Sequence, residues 1–271
     1  MDKLTTQRSR IAYYSYSTAN KEGEHFIAEH ALSYLLAGSQ EFYADDDKHL
    51  FKAGDIRLFA KDQLGRFIKI PPPGGEFIVV TVRLDRDTLR NMSAELQFTA
   101  RGTYQGSRVL KLPPVPLLLN YFHSLQPYYN IEQPPSDALQ NMKIREAVMI
   151  LLEIQPALQN LLFDFRSPGK MDLASFMERN YRYNVNIDRF AYLTGRSLAT
   201  FKRDFQKVFG ISPHAWLMQR RLAKAHEMLQ IQGVSALDVF EDVGFKDYTH
   251  FSFAFKKEFG YPPSAVKTLH S

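Results

Sequence analysis

The chain has no cysteine among its 271 residues. That excludes disulfides and any thiolate metal centre, and it suits a reducing, cytosolic setting. It also lacks long apolar runs. No stretch approaches the roughly 18–20 residues that a membrane span requires, and the opening "MDKLTTQRSR" has no apolar signal core. Catalytic and nucleotide signatures are missing as well: there is no G-x-S-x-G, no Walker loop and no G-x-G-x-x-G. "RGTYQGSR", from Arg101, is a glycine-containing loop without the Lys-Ser/Thr of a phosphate cradle. "HEMLQ", from His226, has Gln230 where a zinc-protease helix carries its second histidine. The carboxylate run "ADDDKH" lacks the spacing and glycine of a calcium loop and reads as a solvated hairpin tip. His25, His30 and His49 form no His-x-His pair with a following Glu, so a metal reading has no ligand set to stand on. They read as structural or surface histidines, with a ligand-pocket role as the alternative. No cofactor is expected.

What is present divides unevenly. The net charge is +5. Between Met171 and Ser271 there are 14 Lys and Arg against 10 Asp and Glu, whereas the first 170 residues hold 20 against 19. The surplus therefore sits in the last hundred residues and permits a phosphate-bearing partner.

Two domains are expected on length. The first 112 residues read as short strands with Gly/Pro turns, which points to a β-sandwich or barrel. "HALSYLL" alternates so that His30, Leu32, Tyr34 and Leu36 share a side. "KAGD" is a turn, and Pro71 to Gly75 must be another, because proline cannot donate to a ladder. Residues 113–165 switch to helical period. Leu139, Met142, Ile144, Ala147, Val148, Leu151 and Leu152 recur at steps of three and four, and Pro156 should end or kink that helix. This segment needs a partner: either its own β layer, or a second copy through 137–152. "RSPGK", within 166–171, reads as a linker.

Residues 172–271 read as helices throughout. The predicted helices are Asp172 to Tyr181; Ile187 to Leu193, capped by Asn186; one from the Ser197 cap to Phe209; a longer one from Pro213 to Gln230; Ser235 to Val243; one from the Asp247 cap to Phe259; and a last one starting near Pro263. Within this region "FQKVFGISP", from Phe205, returns fifty positions later as "FKKEFGYPP", from Phe255. Each copy closes the same unit: short helix, glycine turn, longer helix, glycine, proline. That is the outline of a helix-turn-helix. Phe201, Phe205 and Phe209, and again Phe251, Phe255 and Phe259, form a stripe that belongs in a core. The opposite faces hold Ala199, Thr200, Lys202, Arg203, Gln206 and Lys207 in the first unit, whose Ser197 cap joins them as a candidate DNA contact, and Tyr248, Thr249, Ser252, Phe253, Lys256 and Lys257 in the second. Small or hydroxyl residues early and basic residues later suit a helix that enters a major groove at its N-terminal end. A linking helix of about 18 residues spans roughly 27 Å and would hold two reading helices near the ~34 Å repeat of B-DNA.

The residues "FAYLTGRSLATFKRDFQKVFGISPHAWLMQRRLAKAHEML" and "VSALDVFEDVGFKDYTHFSFAFKKEFGYPPSAV" resemble the AraC/XylS family of bacterial transcription regulators over nearly all of 172–267. "VGF", then F-x-x-x-FKK-x-FG, then proline carries the resemblance. The family's small residue before the turn falls on Ala191, its turn glycine on Gly195, its helix-start serine on Ser197 and its recurrent arginine on Arg203; in the linker, its Arg and Ala fall on Arg221 and Ala225. Two positions depart from the pattern. Phe240 replaces the small residue of the second unit, so its helices should stand further apart or repack. Phe253 stands where the family often has arginine, and a phenyl ring can touch a thymine methyl but cannot read guanine.

The resemblance implies a DNA-binding regulator in the cytoplasm and a cupin-like N-terminal domain that senses or dimerises. It also implies promoter DNA and RNA polymerase as partners, and no covalent chemistry. Two other readings stay open: a cupin-type metalloenzyme with an accessory DNA-binding tail, and control by a protein partner in place of a small molecule.

Overall fold

The computed structural model describes residues 10–19, 26–44, 47–129, 135–231 and 234–266. His25, Asp45 and Asp46, named above, lie outside the described residues. The chain divides into two compact units, Met1–Arg166 and Ser167–Ser271. No described helix is long and apolar enough to cross a membrane.

In the first unit, short runs of β-branched and aromatic residues form strands, as their fit to a half-buried pleated surface dictates. The strands are β1 (Ile11–Tyr16), β2 (Phe26–Ile27), β3 (His30–Ala37), β4 (Ser39–Ala44), β5 (Asp47–Lys52), β6 (Ile56–Phe59), β7 (Gln63–Leu64), β8 (Arg66–Ile70), β9 (Phe77–Leu84) and β10 (Val109–Leu112). They build a five-stranded antiparallel sheet in the order β1-β9-β3-β6-β10, a three-stranded sheet β5-β4-β8 and the pair β2-β7. Both anticipated turns are present. Gly54 has φ +93° between β5 and β6, and the Gly75 N–H donates to the Pro72 carbonyl at 3.1 Å between β8 and β9.

The expected alternation in β3 holds for His30, Leu32 and Tyr34 and then fails. A bulge between Leu35 and Ala37 breaks the register with β9 and leaves Leu36 exposed; Leu35, still in register with Val79, is buried on the opposite face of β3 from Leu32. One extra residue in a strand has this effect on everything beyond it.

A helix also lies where only strands were expected. α1 (Arg86–Leu96) is nucleated by Asp85, whose carboxylate accepts the Thr88 backbone N–H at 2.9 Å. α2 (Pro116–His123) and α3 (Asp137–Ile154) follow, and then α4 (Gln159–Leu162). Gln155 is the C-cap of α3 and Pro156 opens a separate short turn, so proline ends the helix as expected.

These helices cover one face of the five-stranded sheet. Leu89 and Met92, Leu118 and Phe122, and Ile144, Val148 and Leu151 share a core with Leu32, Ile56, Leu58, Val80 and Val82. The other face meets the three-stranded sheet through Leu35, Phe42, Phe51, Phe59, Phe77 and Val79. The apolar stripe of α3 is thus split: Ile144, Ala147, Val148 and Leu151 are buried, whereas Leu139, Met142 and Met149 are exposed. His30 is a core histidine. Its Nδ1 accepts the Lys61 backbone N–H at 3.2 Å, and burial lowers its pKa to about 3, so it stays neutral.

The second unit is helical: α5 (Leu173–Asn180), α6 (Ile187–Leu193), α7 (Leu198–Phe209), α8 (Pro213–Leu229), α9 (Ala236–Asp242) and α10 (Tyr248–Phe259). Side-chain caps start five of the six. Asp172, Ser197, Ser212, Ser235 and Asp247 each accept a backbone N–H three residues on. Asn186 occupies the cap position of α6 without a side-chain bond. Near Pro263 there is a 3-10 turn, Pro263–Ala265, in place of the expected helix.

Candidate nucleic-acid interface

Each helix pair, α6–α7 and α9–α10, turns on a glycine that nothing larger could replace. Gly195 has φ +66°, and a Cβ there would lie 2.5 Å from the Gly169 carbonyl carbon. Gly244 has φ +92°, and a Cβ there would lie 2.4 Å from the Arg182 carbonyl oxygen. Both positions need left-handed backbone and close approach together. Arg196, just past the first turn, donates from Nη1 to the Met171 and Thr194 carbonyls and from Nε to Asp204 of α7 at 3.2 Å. The Arg196 guanidinium in turn holds the Asp204 carboxyl below its usual range. The middle of α7 is thereby tied to the turn that precedes the helix.

The phenylalanine stripes face inward. Phe201, Phe205, Phe251 and Phe255 are fully buried, and each such ring stabilises by about 1.5–3 kcal/mol. The two stripes dock at opposite ends of α8. Phe209 packs 4.8 Å from Trp216, ring centroid to centroid, and Phe259 packs 4.6 Å from His226. Trp216 and His226 are ten positions apart, or about 15 Å along a helix axis. His226 also bonds the Tyr261 hydroxyl at 2.8 Å, which ties α8 to the chain beyond α10.

A third contact ties the helices together. Arg221 of α8 donates to three carbonyls: Tyr181 at 2.8 Å, Tyr183 at 2.9 Å and Gly244 at 2.9 Å. Burial lowers the pKa of its guanidinium to about 10, and the side chain remains charged at neutral pH. The family pattern singled out the position of Arg221. Its partners are backbone oxygens, which leave no side-chain signature in sequence.

With the stripes inside, the opposite faces of α7 and α10 are presented to solvent. On α7, Ala199, Lys202, Arg203, Gln206 and Lys207 are exposed. Arg203 is 65% exposed, with only a loose 3.8 Å approach to Asp204. Ser197 and Thr200 are engaged locally. The Ser197 hydroxyl caps α7 through the Thr200 N–H and also bonds the Thr200 hydroxyl at 3.0 Å. The Gln206 amide donates to the Gly210 carbonyl at 2.7 Å, closing its own helix end. On α10, Thr249, Phe253, Lys256 and Lys257 are exposed and Ser252 is half-buried. Phe253 is 72% exposed, an unusual setting for a phenyl ring. Tyr248 is half-buried, its ring edge-on to Phe240 at 5.7 Å. The Phe240 substitution is thus accommodated by repacking: its ring lies between Tyr248 and Phe251 and joins the second core.

Two glycine-turned helix pairs on one spine, each with a solvent-facing basic helix, define the class: a helix-turn-helix transcription regulator with a separate N-terminal regulatory domain. Comparison with known proteins agrees. Residues 190–268 match the model of a helix-turn-helix domain, and residues 30–161 match that of the ExsA N-terminal regulatory domain. The chain is 24% identical to the HTH-type transcriptional regulator ExsA of Pseudomonas aeruginosa over 264 residues, which is 97% of this chain and 91% of that protein. It is 32% identical to the thermoregulatory protein LcrF of Yersinia pestis over 174 residues, covering 57% of this chain and 60% of the relative. Among solved structures, that of apo ToxT from Vibrio cholerae aligns over 96% of this chain and 97% of its own, at 11% identity and a TM-score of 0.47. These likenesses support an AraC/XylS-type transcription regulator.

Proposed function

We propose that α6–α7 and α9–α10 are two helix-turn-helix units that place α7 and α10 in successive major grooves of promoter DNA. The observation that carries this is the repeated exposure of one basic face, Lys202, Arg203 and Lys207 on α7 and Lys256 and Lys257 on α10, opposite a fully buried phenylalanine stripe. In this reading Ala199, Thr200, Arg203 and Gln206 meet bases and early backbone, with the Gln206 amide leaving Gly210 to do so, while Lys202 and Lys207 meet phosphate. Ser197 presents the N-terminal end of α7. On α10, Thr249, Ser252 and Phe253 face base edges, Phe253 toward thymine methyls, and Lys256 faces phosphate. Tyr248 contributes through the part of its ring that Phe240 leaves open.

Residues 1–112 act as a cupin-like sensing domain, 113–165 as its helical layer and 166–171 as the linker to the DNA-binding region 172–271. The exposed stripe Leu139, Met142 and Met149 of α3 pairs with the same stripe of a second copy. The protein works in the cytoplasm, catalyses no covalent reaction and acts by positioning itself beside RNA polymerase.

The test is electrophoretic shift of a promoter fragment across a salt series. Arg203→Ala and Lys256→Ala should each weaken binding. Where the removed side chain had neutralised a phosphate, the log–log salt slope should flatten by about one unit. Binding that ignores salt and both substitutions contradicts the proposal.

A further inference from the structure

The glycine-containing stretch from Arg101 lies in the longest connection of the first unit between described elements. Between α1 and β10, residues 97–108 form no helix or strand. Connections of about 12 residues without structure of their own are uncommon in compact domains and are usually functional. Most of this loop is exposed, yet its start is held in place. The Gln159 side-chain amide donates to the Thr99 carbonyl at 2.8 Å, and the Arg101 backbone N–H donates to Asn160 Oδ1 at 2.8 Å. Phe98 packs on Phe163 with ring centroids 5.4 Å apart.

Held so, Thr99 to Gly102 and Phe163 to Arg166 line an open cleft of about 600 Å³. That is the size of a small-molecule site. Phe163 and Phe165 supply its apolar side. Its charged side chains are Arg101, Arg166 and Asp164. Arg166 closes on Asp164: its Nε and Nη2 donate to the two carboxylate oxygens at 2.8 and 2.6 Å, which holds the Asp164 carboxyl below its usual range. The Arg101 guanidinium is exposed and has no hydrogen bond or ion pair among the described residues. A Cβ built on the neighbouring Gly102 would meet nothing within 4 Å, so there is room beside the loop backbone. Two more guanidinium groups stand at Phe165. Arg86 Nη2 donates to the Phe165 carbonyl at 3.0 Å, and the Arg90 guanidinium carbon is 5.6 Å from the Phe165 ring centroid.

Arg86, Arg90, Arg101 and Arg166 stand against Asp164 and, on α1, Asp87, which leaves a local surplus of two positive charges. A phosphate monoester carries about −1.5 to −2 at neutral pH and presents three acceptor oxygens, which guanidinium forks bind in pairs. A carboxylate carries only one charge. The phenylalanine side of the cleft favours an organic body on the anion over a hydrated inorganic ion. We propose that this cleft binds a small organic phosphate, with Arg101 as the first charge contact, Arg166 as the second once it leaves Asp164, and Phe163 and Phe165 against the organic part. Arg166 is the last residue of the first unit, so an occupant acts on the chain where the linker begins. The site is independent of the DNA reading.

The test is calorimetric titration of the full chain with phenyl phosphate and adenosine monophosphate, with phenol and adenosine as their phosphate-free counterparts and inorganic phosphate as the plain anion. At least one ester should bind saturably at one per chain. Its phosphate-free counterpart should bind at least about tenfold more weakly, the span of one charge-assisted hydrogen bond. Arg101→Gln, at an exposed side chain, should keep the wild-type circular dichroism and weaken binding at least about tenfold. Asp164→Asn, which releases Arg166, should tighten it severalfold. No saturable binding of either ester, equal binding of the phosphate-free counterpart, a response to inorganic phosphate alone, or full affinity in Arg101→Gln overturns the site. So does an Asp164→Asn variant that binds no more tightly than wild type. Weaker promoter binding by Arg101→Gln without any ester binding would assign the cleft to the DNA backbone and likewise overturn it.

Discussion

Arg221→Ala should cost the second unit a large part of its stability. The side chain donates three charge-assisted hydrogen bonds, at 2.8, 2.9 and 2.9 Å, to carbonyls that belong to two different segments. Bonds of this kind contribute about 1.5–3 kcal/mol each. They share one guanidinium and are not additive, so a combined loss of about 3–5 kcal/mol is expected. That is a substantial part of the roughly 5–15 kcal/mol that holds a domain together. Arg221→Lys keeps the charge but cannot reach three acceptors at once, and should fall between alanine and wild type. Arg220→Ala is the control. Arg220 is exposed and pairs with Glu178 at 2.8 Å, a surface bridge worth at most about 1 kcal/mol. Trp216 is the single tryptophan of the chain and lies in the second unit, so denaturant unfolding followed by its fluorescence reports on that unit. If Arg221→Ala unfolds within about 1 kcal/mol of Arg220→Ala, the three-carbonyl clamp is not what holds α8 to its neighbours.

Further outcomes follow from the same contacts. Gly195→Ala should destabilise the second unit by about 2–4 kcal/mol, since it adds a methyl beside the Gly169 backbone to the left-handed strain. Gly210→Ala, at φ +73° with nothing within 4 Å, should cost about 1 kcal/mol. The Trp216 unfolding curve measures both. In the first unit, burial and then the charge of Arg57 lower the folded pKa of Lys69 to about 8, against about 10.4 for a free lysine. Between those values the unfolded chain keeps a proton that the folded chain has released, so stability should rise with pH across that window and be flat in this group below pH 8. Lys69→Gln should remove the rise, as read from denaturation midpoints between pH 7 and 10.5.

The second unit was largely legible in the sequence because its determinants are local. Ser197, Asp247 and Ser235 cap the helices they precede, Gly210 and Gly260 close them in left-handed backbone, and the fourfold spacing of Phe201, Phe205 and Phe209 fixes the buried face. What stayed hidden depends on tertiary partners. The Gln206 amide rests on the Gly210 carbonyl and the Tyr248 ring lies edge-on to Phe240, and neither contact can be read from spacing alone. In the first unit the misses have two causes. A bulge between Leu35 and Ala37 leaves Leu36 exposed, and period-2 patterning cannot foresee an inserted residue. α1 follows directly on β9, and its Asp85 cap is easily taken for a turn residue between strands. The cleft beside Arg101 was not legible at all, because it is made by two chain segments that meet only in three dimensions.

The central claim is that α7 and α10 each engage their own groove. Hydroxyl-radical footprinting on a bound promoter fragment, at saturating protein, tests it most directly. Two protected windows should lie on one face of the duplex, about 10 base pairs apart. Lys202→Ala with Arg203→Ala should erase one window, and Phe253→Ala with Lys256→Ala the other. A single window, or two that respond identically to both pairs of substitutions, would contradict the account.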